Sequence, residues 1–171
     1  MELTQKEKER EKWPVYFMKL AIQASTRSTC NRLHVGAIIV KNKRVIATGY
    51  NGSPIGQPHC YDDNHLYRDG YSGCQRTIHA EMNAILQAAR QGSSVEGSEV
   101  YVTTFPCFNC MKHIIQAGIT KVYYYQDFYR GGGIQEARTA FGFTNIEKIE
   151  INKDWIEKVA TEHFYPKQKK E

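Results

Sequence analysis

The sequence predicts a single α/β domain, a sandwich of helices around a mixed central sheet. Two apolar, β-branched runs, residues 35–40 and 44–50, flank the turn dipeptide Asn42-Lys43, which is the pattern of a hairpin. Beyond them helical and strand periodicities alternate. A strand pair followed by such alternation argues a sheet with both pairing senses. At 171 residues, 41% hydrophobic and 24% charged, the chain is long enough to bury a core without disulfide staples.

The elements follow in order. Residues 1–12 are almost wholly polar and alternate in sign, which predicts a solvent-facing segment. Residues 166–171 form a basic tail, so the domain proper is expected over 13–165. Pro14 suits a first helical turn, and Val15, Phe17, Met18, Leu20 and Ile22 predict a core helix over 15–24. Residues 25–32 are polar and read as a loop. After the hairpin, residues 51–58 are dense in turn formers and the loop continues to about Thr77. A connection that long inside a compact domain is usually functional or tied down by metal. Met82, Ile85, Leu86 and Ala89 predict a helix over 79–90, stopped by Gly92. A strand over 99–104, a helix over 107–117 ended by Gly118, and a strand over 121–125 come next. Helices are expected over 134–141 and 154–163, with a strand over 146–151 between them. No internal repeat is visible.

Composition excludes several classes. No apolar run approaches the length of a membrane span, and the N-terminus carries charges where a signal peptide needs an apolar stretch. The expectation is a cytoplasmic protein without a membrane partner. The net charge of +5 is mild and comes partly from the tail, so no nucleic-acid partner is expected. A small anionic substrate suits that balance, and so does an uncharged one. Five cysteines is an odd number, and two of them form a Cys-x-x-Cys, which favours metal binding in a reducing compartment over a disulfide framework.

The chemistry concentrates in His79-Ala80-Glu81 and Pro106-Cys107-Phe108-Asn109-Cys110. A lone Cys-x-x-Cys could be half of a zinc knuckle or a redox pair, and a lone His-x-Glu carries no information. Together, in this order and spacing, they are the known signature of zinc-dependent nucleobase deaminases. Cys107 and Cys110, at the start of a helix, can face the same way, and a helix N-terminus favours the thiolates that zinc needs. His79, Cys107 and Cys110 as three ligands leave a fourth tetrahedral position for water, the pattern of a catalytic Zn²⁺. Two thiolates cancel the metal's charge and weaken its pull on that water, so a nearby base is needed. Glu81 is the expected catalytic residue, carrying a proton from water to the ring nitrogen and another to the leaving amine.

Several stretches carry a wider resemblance: Ser28-Thr29-Cys30, Val35-Gly36-Ala37, Thr48-Gly49-Tyr50-Asn51-Gly52-Ser53-Pro54, Thr77-Ile78-His79-Ala80-Glu81-Met82-Asn83-Ala84-Ile85, Tyr101-Val102-Thr103 and Ile114-Ile115-Gln116-Ala117-Gly118-Ile119. Over about Tyr16 to Tyr129 the chain resembles deoxycytidylate (dCMP) deaminases, including bacterial members with a late-competence label. The Gly-Tyr-Asn-Gly-x-Pro loop is the discriminating element. The resemblance implies a three-layer α/β/α cytidine-deaminase-like fold and conversion of dCMP to dUMP and ammonia, which feeds thymidylate synthesis. It further implies a homohexamer, activation by dCTP and inhibition by dTTP, with Mg²⁺ accompanying the effector nucleotide. Asn51 would bind the deoxyribose hydroxyl, although an Asn before Gly is also a turn former. Ala80 and Tyr129 would line the substrate pocket, and Gly52, Ser53 and Gly56 would lie at the effector site. Arg27 and Ser28, in the loop before the first strand, are the candidate phosphate donors.

Cys30, Cys60 and Cys74 fall in the long loops, with His59 and His65 nearby. Some members of the resembled family hold a second, structural zinc in this region. Cys30, Cys60 and Cys74 with His59 are the expected ligands, and buried free thiols are the alternative. Two other functions compete with dCMP deamination: deamination of dCTP, alone or with dCMP, and a non-catalytic competence or DNA-uptake accessory role with a structural zinc. Glu81 argues against the last, since a structural site has no use for it.

Overall fold

The computed structural model describes residues 11–61, 64–70, 74–127 and 134–151. Helix α1 (Trp13–Ser25) opens with Pro14 in its first turn, where a missing N–H costs no intrahelical bond. Strands β1 (Gly36–Lys41) and β2 (Arg44–Tyr50) form an antiparallel hairpin. Its turn residues Asn42 and Lys43 have φ of 51° and 58°, the paired left-handed geometry that matches the twist of the flanking strands. After the long loop come α2 (Ala80–Arg90), β3 (Glu99–Thr104), α3 (Phe108–Gln116), β4 (Lys121–Gln126), α4 (Ile134–Phe141) and β5 (Ile146–Lys148).

The sheet has five strands in the order β2-β1-β3-β4-β5. Pairing is antiparallel from β2 through β1 to β3 and parallel from β3 through β4 to β5, so the sheet is mixed as predicted. Successive strand residues point to opposite faces, and this sorts the core into two layers. Ala37 and Ile39 of β1, with Val100 and Val102 of β3, pack with Ala84 and Ala88 of α2 and Met111 and Ile114 of α3. The intervening Ile38, Val40 and Tyr101 pack on the other face with Phe17, Met18, Ala21 and Ile22 of α1. On that face the Tyr101 and Tyr123 rings stack with centroids 4.4 Å apart. Helices on both faces make the three-layer sandwich.

Strand β5 is shorter than the expected strand over 146–151. Ile149 N–H donates to Tyr124 O as the last tie to β4, and Ile149 and Ile151 then bury in the α1 layer. The alternation that predicted a strand is real, but among the described residues the register with β4 runs only from Ile146 to Lys148. The helix expected over 154–163, the segment 1–10 and the tail lie outside the described residues. Among the described residues no helix is long and apolar enough to cross a membrane.

Two glycines let helices lie directly on the hairpin backbone. A Cβ on Gly36 would stand 2.0 Å from Ala21 O in α1, and one on Gly49 would stand 2.2 Å from Ala80 O in α2. Ala80, Ala84 and Ala88, one helical turn apart and fully buried, are the small residues that allow this approach. Gly49→Ala is therefore expected to cost about 2–3 kcal/mol or more. That lowers Tm by about 4–10 °C in a differential scanning measurement. Gly56→Ala, with nothing within 4 Å but φ of 77°, should cost only about 1 kcal/mol.

Candidate active site

Two helix N-termini meet beside the carboxyl ends of the parallel strands β3 and β4, the edge where open α/β sheets hold ligands. His79 occupies the N-cap of α2 and Cys107 the N-cap of α3, both with extended backbone. An N-cap side chain ordinarily bonds its own helix's free N–H groups. Neither does so here. They turn to each other instead: His79 Nδ1 lies 3.4 Å from Cys107 Sγ and 3.5 Å from Cys110 Sγ. The expected helix over 107–117 thus begins one residue later, with Cys107 as its cap.

These three ligand atoms lie within 4.8 Å of one another. Tetrahedral zinc with Zn–S near 2.3 Å and Zn–N near 2.05 Å sets its sulfur and nitrogen ligands about 3.5 Å apart. The residues fit the ion. Their protonation states show the same demand for a cation. The Cys107 thiol is pushed down to about 4, chiefly because Cys110 donates to it, with His79 contributing. Cys110 is driven far up by that neighbouring thiolate and by burial. His79 is raised to about 9 by its bond to Cys107. Two crowded sulfurs share one negative charge, and a divalent cation releases the second.

Glu81, the second residue of α2, is 4% exposed. Burial raises its pKa, while the charge on His79 opposes the rise. The cluster and Glu81 open onto a cavity of about 490 Å³, whose wall also holds Asn51, Arg32, Thr104 and Phe105.

The chain matches the family described as cytidine and deoxycytidylate deaminase zinc-binding region over residues 11–126. The chain belongs to this family. The ComE operon protein 2 of Bacillus subtilis (strain 168) is 49% identical to this deaminase over 144 residues, 84% of this chain and 75% of that protein. The deoxycytidylate deaminase of enterobacteria phage T4 is 34% identical over 182 residues, covering 80% of this chain and 91% of that one. The crystal structure of dCMP deaminase from cyanophage S-TIM5 in complex with dCMP and dUMP superposes with a TM-score of 0.67 at 36% identity, covering 86% of this chain and all of that one. This chain is accordingly a hydrolase of the deaminase type, with a His/Cys zinc-binding motif and an activity akin to that of dCMP deaminases.

The deaminase's cavity is shaped by the end of β2. Asn51 Oδ1 accepts from Val35 N–H at 2.8 Å, and Asn51 Nδ2 donates to Leu33 O at 2.7 Å. The Asn51 amide therefore holds the 33–35 segment in place. One N–H and one lone pair remain beyond these bonds. Asn83 of α2 donates to Tyr50 O at 2.8 Å, tying the helix of His79 and Glu81 to the residue before Asn51. Ala80 is in the cavity lining.

Ser28 is buried, donating to Asn51 O and accepting from Cys30 N–H, and lies outside the cavity lining. Arg27 is exposed and also outside it. The guanidinium residue in the wall is Arg32, which sequence reasoning missed; only its place in the bend at Asn31 and Arg32 distinguishes it. Tyr129 lies outside the described residues. Gly52 exchanges backbone hydrogen bonds with Ile78, Ser53 N–H donates to Thr29 Oγ1, and Gly56 takes its left-handed turn in the open.

The loop cysteines form a group that differs from the expected one. Cys60, His65 and Cys74 bring their ligand atoms within 4.8 Å of one another. His59 points outward with its ring against Tyr61, while Cys60 beside it points in; adjacent side chains leave the backbone in different directions. Cys30 lies outside the group and lines the main cavity instead. Cys60 Sγ and Cys74 Sγ are 3.9 Å apart. Burial disfavours the Cys74 thiolate, but N–H groups of Arg76 and Leu66 directed at the sulfur lower its pKa to about 7. Burial and the facing Cys74 sulfur push Cys60 to about 11.

Asn51→Ala removes the amide and leaves Val35 N–H and Leu33 O without their partner. It is expected to destabilise the fold by about 1–3 kcal/mol, read as a lower urea midpoint with unchanged m-value.

Proposed function

We propose that this deaminase converts dCMP to dUMP and ammonia, supplying dUMP for thymidylate synthesis. The observation that carries the proposal is the three-donor cluster of His79, Cys107 and Cys110 opening, with buried Glu81, onto a nucleotide-sized cavity. Zinc held by these three residues supplies the Lewis acidity that makes water nucleophilic near neutral pH. Glu81 moves the protons: it takes one from the attacking water, delivers it to the pyrimidine N3, and passes one to the departing amine. Burial suits that task, because it raises the carboxyl's pKa and so favours the proton-carrying form it must pass through. Arg32, which lines the cavity where the equally exposed Arg27 does not, is the cation for the 5′-phosphate. The unspent N–H and lone pair of Asn51 suit the sugar hydroxyl.

The same reading takes dCTP and dTTP, with Mg²⁺, as effectors in a hexamer, acting at the turn of Gly52, Ser53 and Gly56. Its support is the Gly52–Ile78 pairing, which links that turn to the residue before His79. Cys60, His65 and Cys74 are the ligands of a second, structural zinc in this proposal. Two sulfurs on a tetrahedral zinc stand about 3.8 Å apart, close to the 3.9 Å between Cys60 and Cys74. His65 Nδ1 is buried without a hydrogen-bond partner, as a nitrogen reserved for metal would be.

Ammonia release from dCMP, dCTP, CMP and deoxycytidine, with and without dCTP as effector, tests the activity. dCMP is expected to be the preferred substrate, and a preference for dCTP would replace the reading. Glu81→Gln should lower kcat by about 10²–10⁴-fold with zinc retained. Full turnover in that variant would remove the proton-shuttle role, and no turnover in the wild type would favour the accessory role. Elemental analysis should find two zinc ions per chain, and one in Cys74→Ser, whose Tm should also fall.

A further inference from the structure

The last residue of β3 is a threonine whose hydroxyl has no partner. Thr104 is 6% exposed, and its Oγ1 is buried without a hydrogen bond. Its neighbour Thr103, fully buried, is different: Thr103 Oγ1 accepts from Gly36 N–H at 3.1 Å and so holds β1 against β3. Adjacent strand residues face opposite sides. Thr103 faces the sheet's interior contact, whereas Thr104 lines the cavity.

An orphaned buried hydroxyl is costly, and strand ends offer many apolar residues that would avoid the cost. A valine would fill the same volume. The same cavity is lined by the apolar Ala80 and Phe105 as well as by His79 and Cys107. Thr104 is also in register with Gln126 at the end of β4, so it stands at the ligand-holding edge of the parallel pair. A substrate whose reacting carbon must reach His79, Cys107 and Cys110 brings its base, rather than its phosphate, to this wall.

We propose that Thr104 is a specificity-determining contact whose hydroxyl hydrogen-bonds the polar edge of the pyrimidine. This rests on the deamination reading above and adds a residue that neither the motif nor the charge pattern marks. The hydroxyl is both donor and acceptor, so it serves the base before and after the amine becomes a carbonyl. Free protein carries the unpaired group; the bound nucleotide pairs it. An analogue without a base leaves it unpaired, and selectivity follows from that difference.

The test compares wild type, Thr104→Val and Thr104→Ser, each with its zinc content confirmed. Thr104→Val should keep or raise Tm, by up to about 2–4 °C, because it removes an unpaired polar group. Its KM for dCMP should rise roughly 10-fold with kcat little changed, and Thr104→Ser should stay within about 2-fold of wild type. Calorimetric binding of dUMP should weaken in step in Thr104→Val, while binding of deoxyribose 5-phosphate should not change. Unchanged KM and dUMP affinity in Thr104→Val would overturn the proposal. Equal weakening toward deoxyribose 5-phosphate would move the contact to the sugar and also overturn it. A wild type that binds dUMP but deaminates no nucleotide would sink the activity reading alone, and the dUMP comparison would still decide the role of Thr104.

Discussion

The feature on which the rest of the structure depends is backbone-to-backbone packing of α2 on β2 at Gly49. With no Cβ in the way, the first turn of α2 rests directly on the strand, and backbone atoms of Ala80 and Ala84 occupy the space a Cβ would need. That seating fixes where the helix starts, and so where His79 and Glu81 stand. On the opposite face α1 repeats the arrangement at Gly36. The two glycines sit on adjacent register pairs of the hairpin, Gly36 opposite Tyr50 and Gly49 opposite Ala37. The hairpin is clamped between helices where it leads into the cavity. Residues held on such rigid elements keep their geometry better than residues carried on loops.

The second constraint is electrostatic. Bringing two cysteines and a histidine into one partly buried corner leaves the metal-free chain with a shared proton and a thiolate–imidazolium pair. The N-termini of α2 and α3 favour negative charge there, which suits the sulfurs. Glu81 adds a carboxyl that burial keeps from ionising easily. The cluster is therefore poised for a divalent ion, and the same low-polarity surroundings that make the donors expensive to ionise alone also strengthen each electrostatic contact once the ion is bound.

The described residues of the long loop after β2 have little regular structure, yet they are tied at many points. Thr29 N–H donates to Asn51 O, Cys60 N–H donates to Thr29 O, and the Tyr61 hydroxyl donates to Ser28 O at 2.7 Å. Gly52 and Ile78 close its ends together. The Cys60–His65–Cys74 group adds a tie of a different kind, beside the backbone bond from Gln75 N–H to Leu66 O. This explains how a connection lacking periodicity can form one wall of a cavity.

Periodicity and turn chemistry in the sequence determined the order and type of nearly every described element, because strand alternation and helical spacing are local properties. The hairpin turn at Asn42-Lys43 and the paired His-x-Glu and Pro-Cys-x-x-Cys were legible for the same reason: each is a short pattern with a geometric consequence. What the sequence left open was decided by neighbours distant in the chain. Whether residues 149–151 pair as a strand depended on β4, and His65 took the place expected of His59 because the loop folds back on itself. Arg32 entered the wall and Arg27 did not, although both belong to the same polar stretch. Ser28 and much of the Asn51 amide went to holding the loop. The Thr104 hydroxyl stayed unpaired while its neighbour's was used. A residue type states which bonds it can make; only the packed chain decides which partners come within reach.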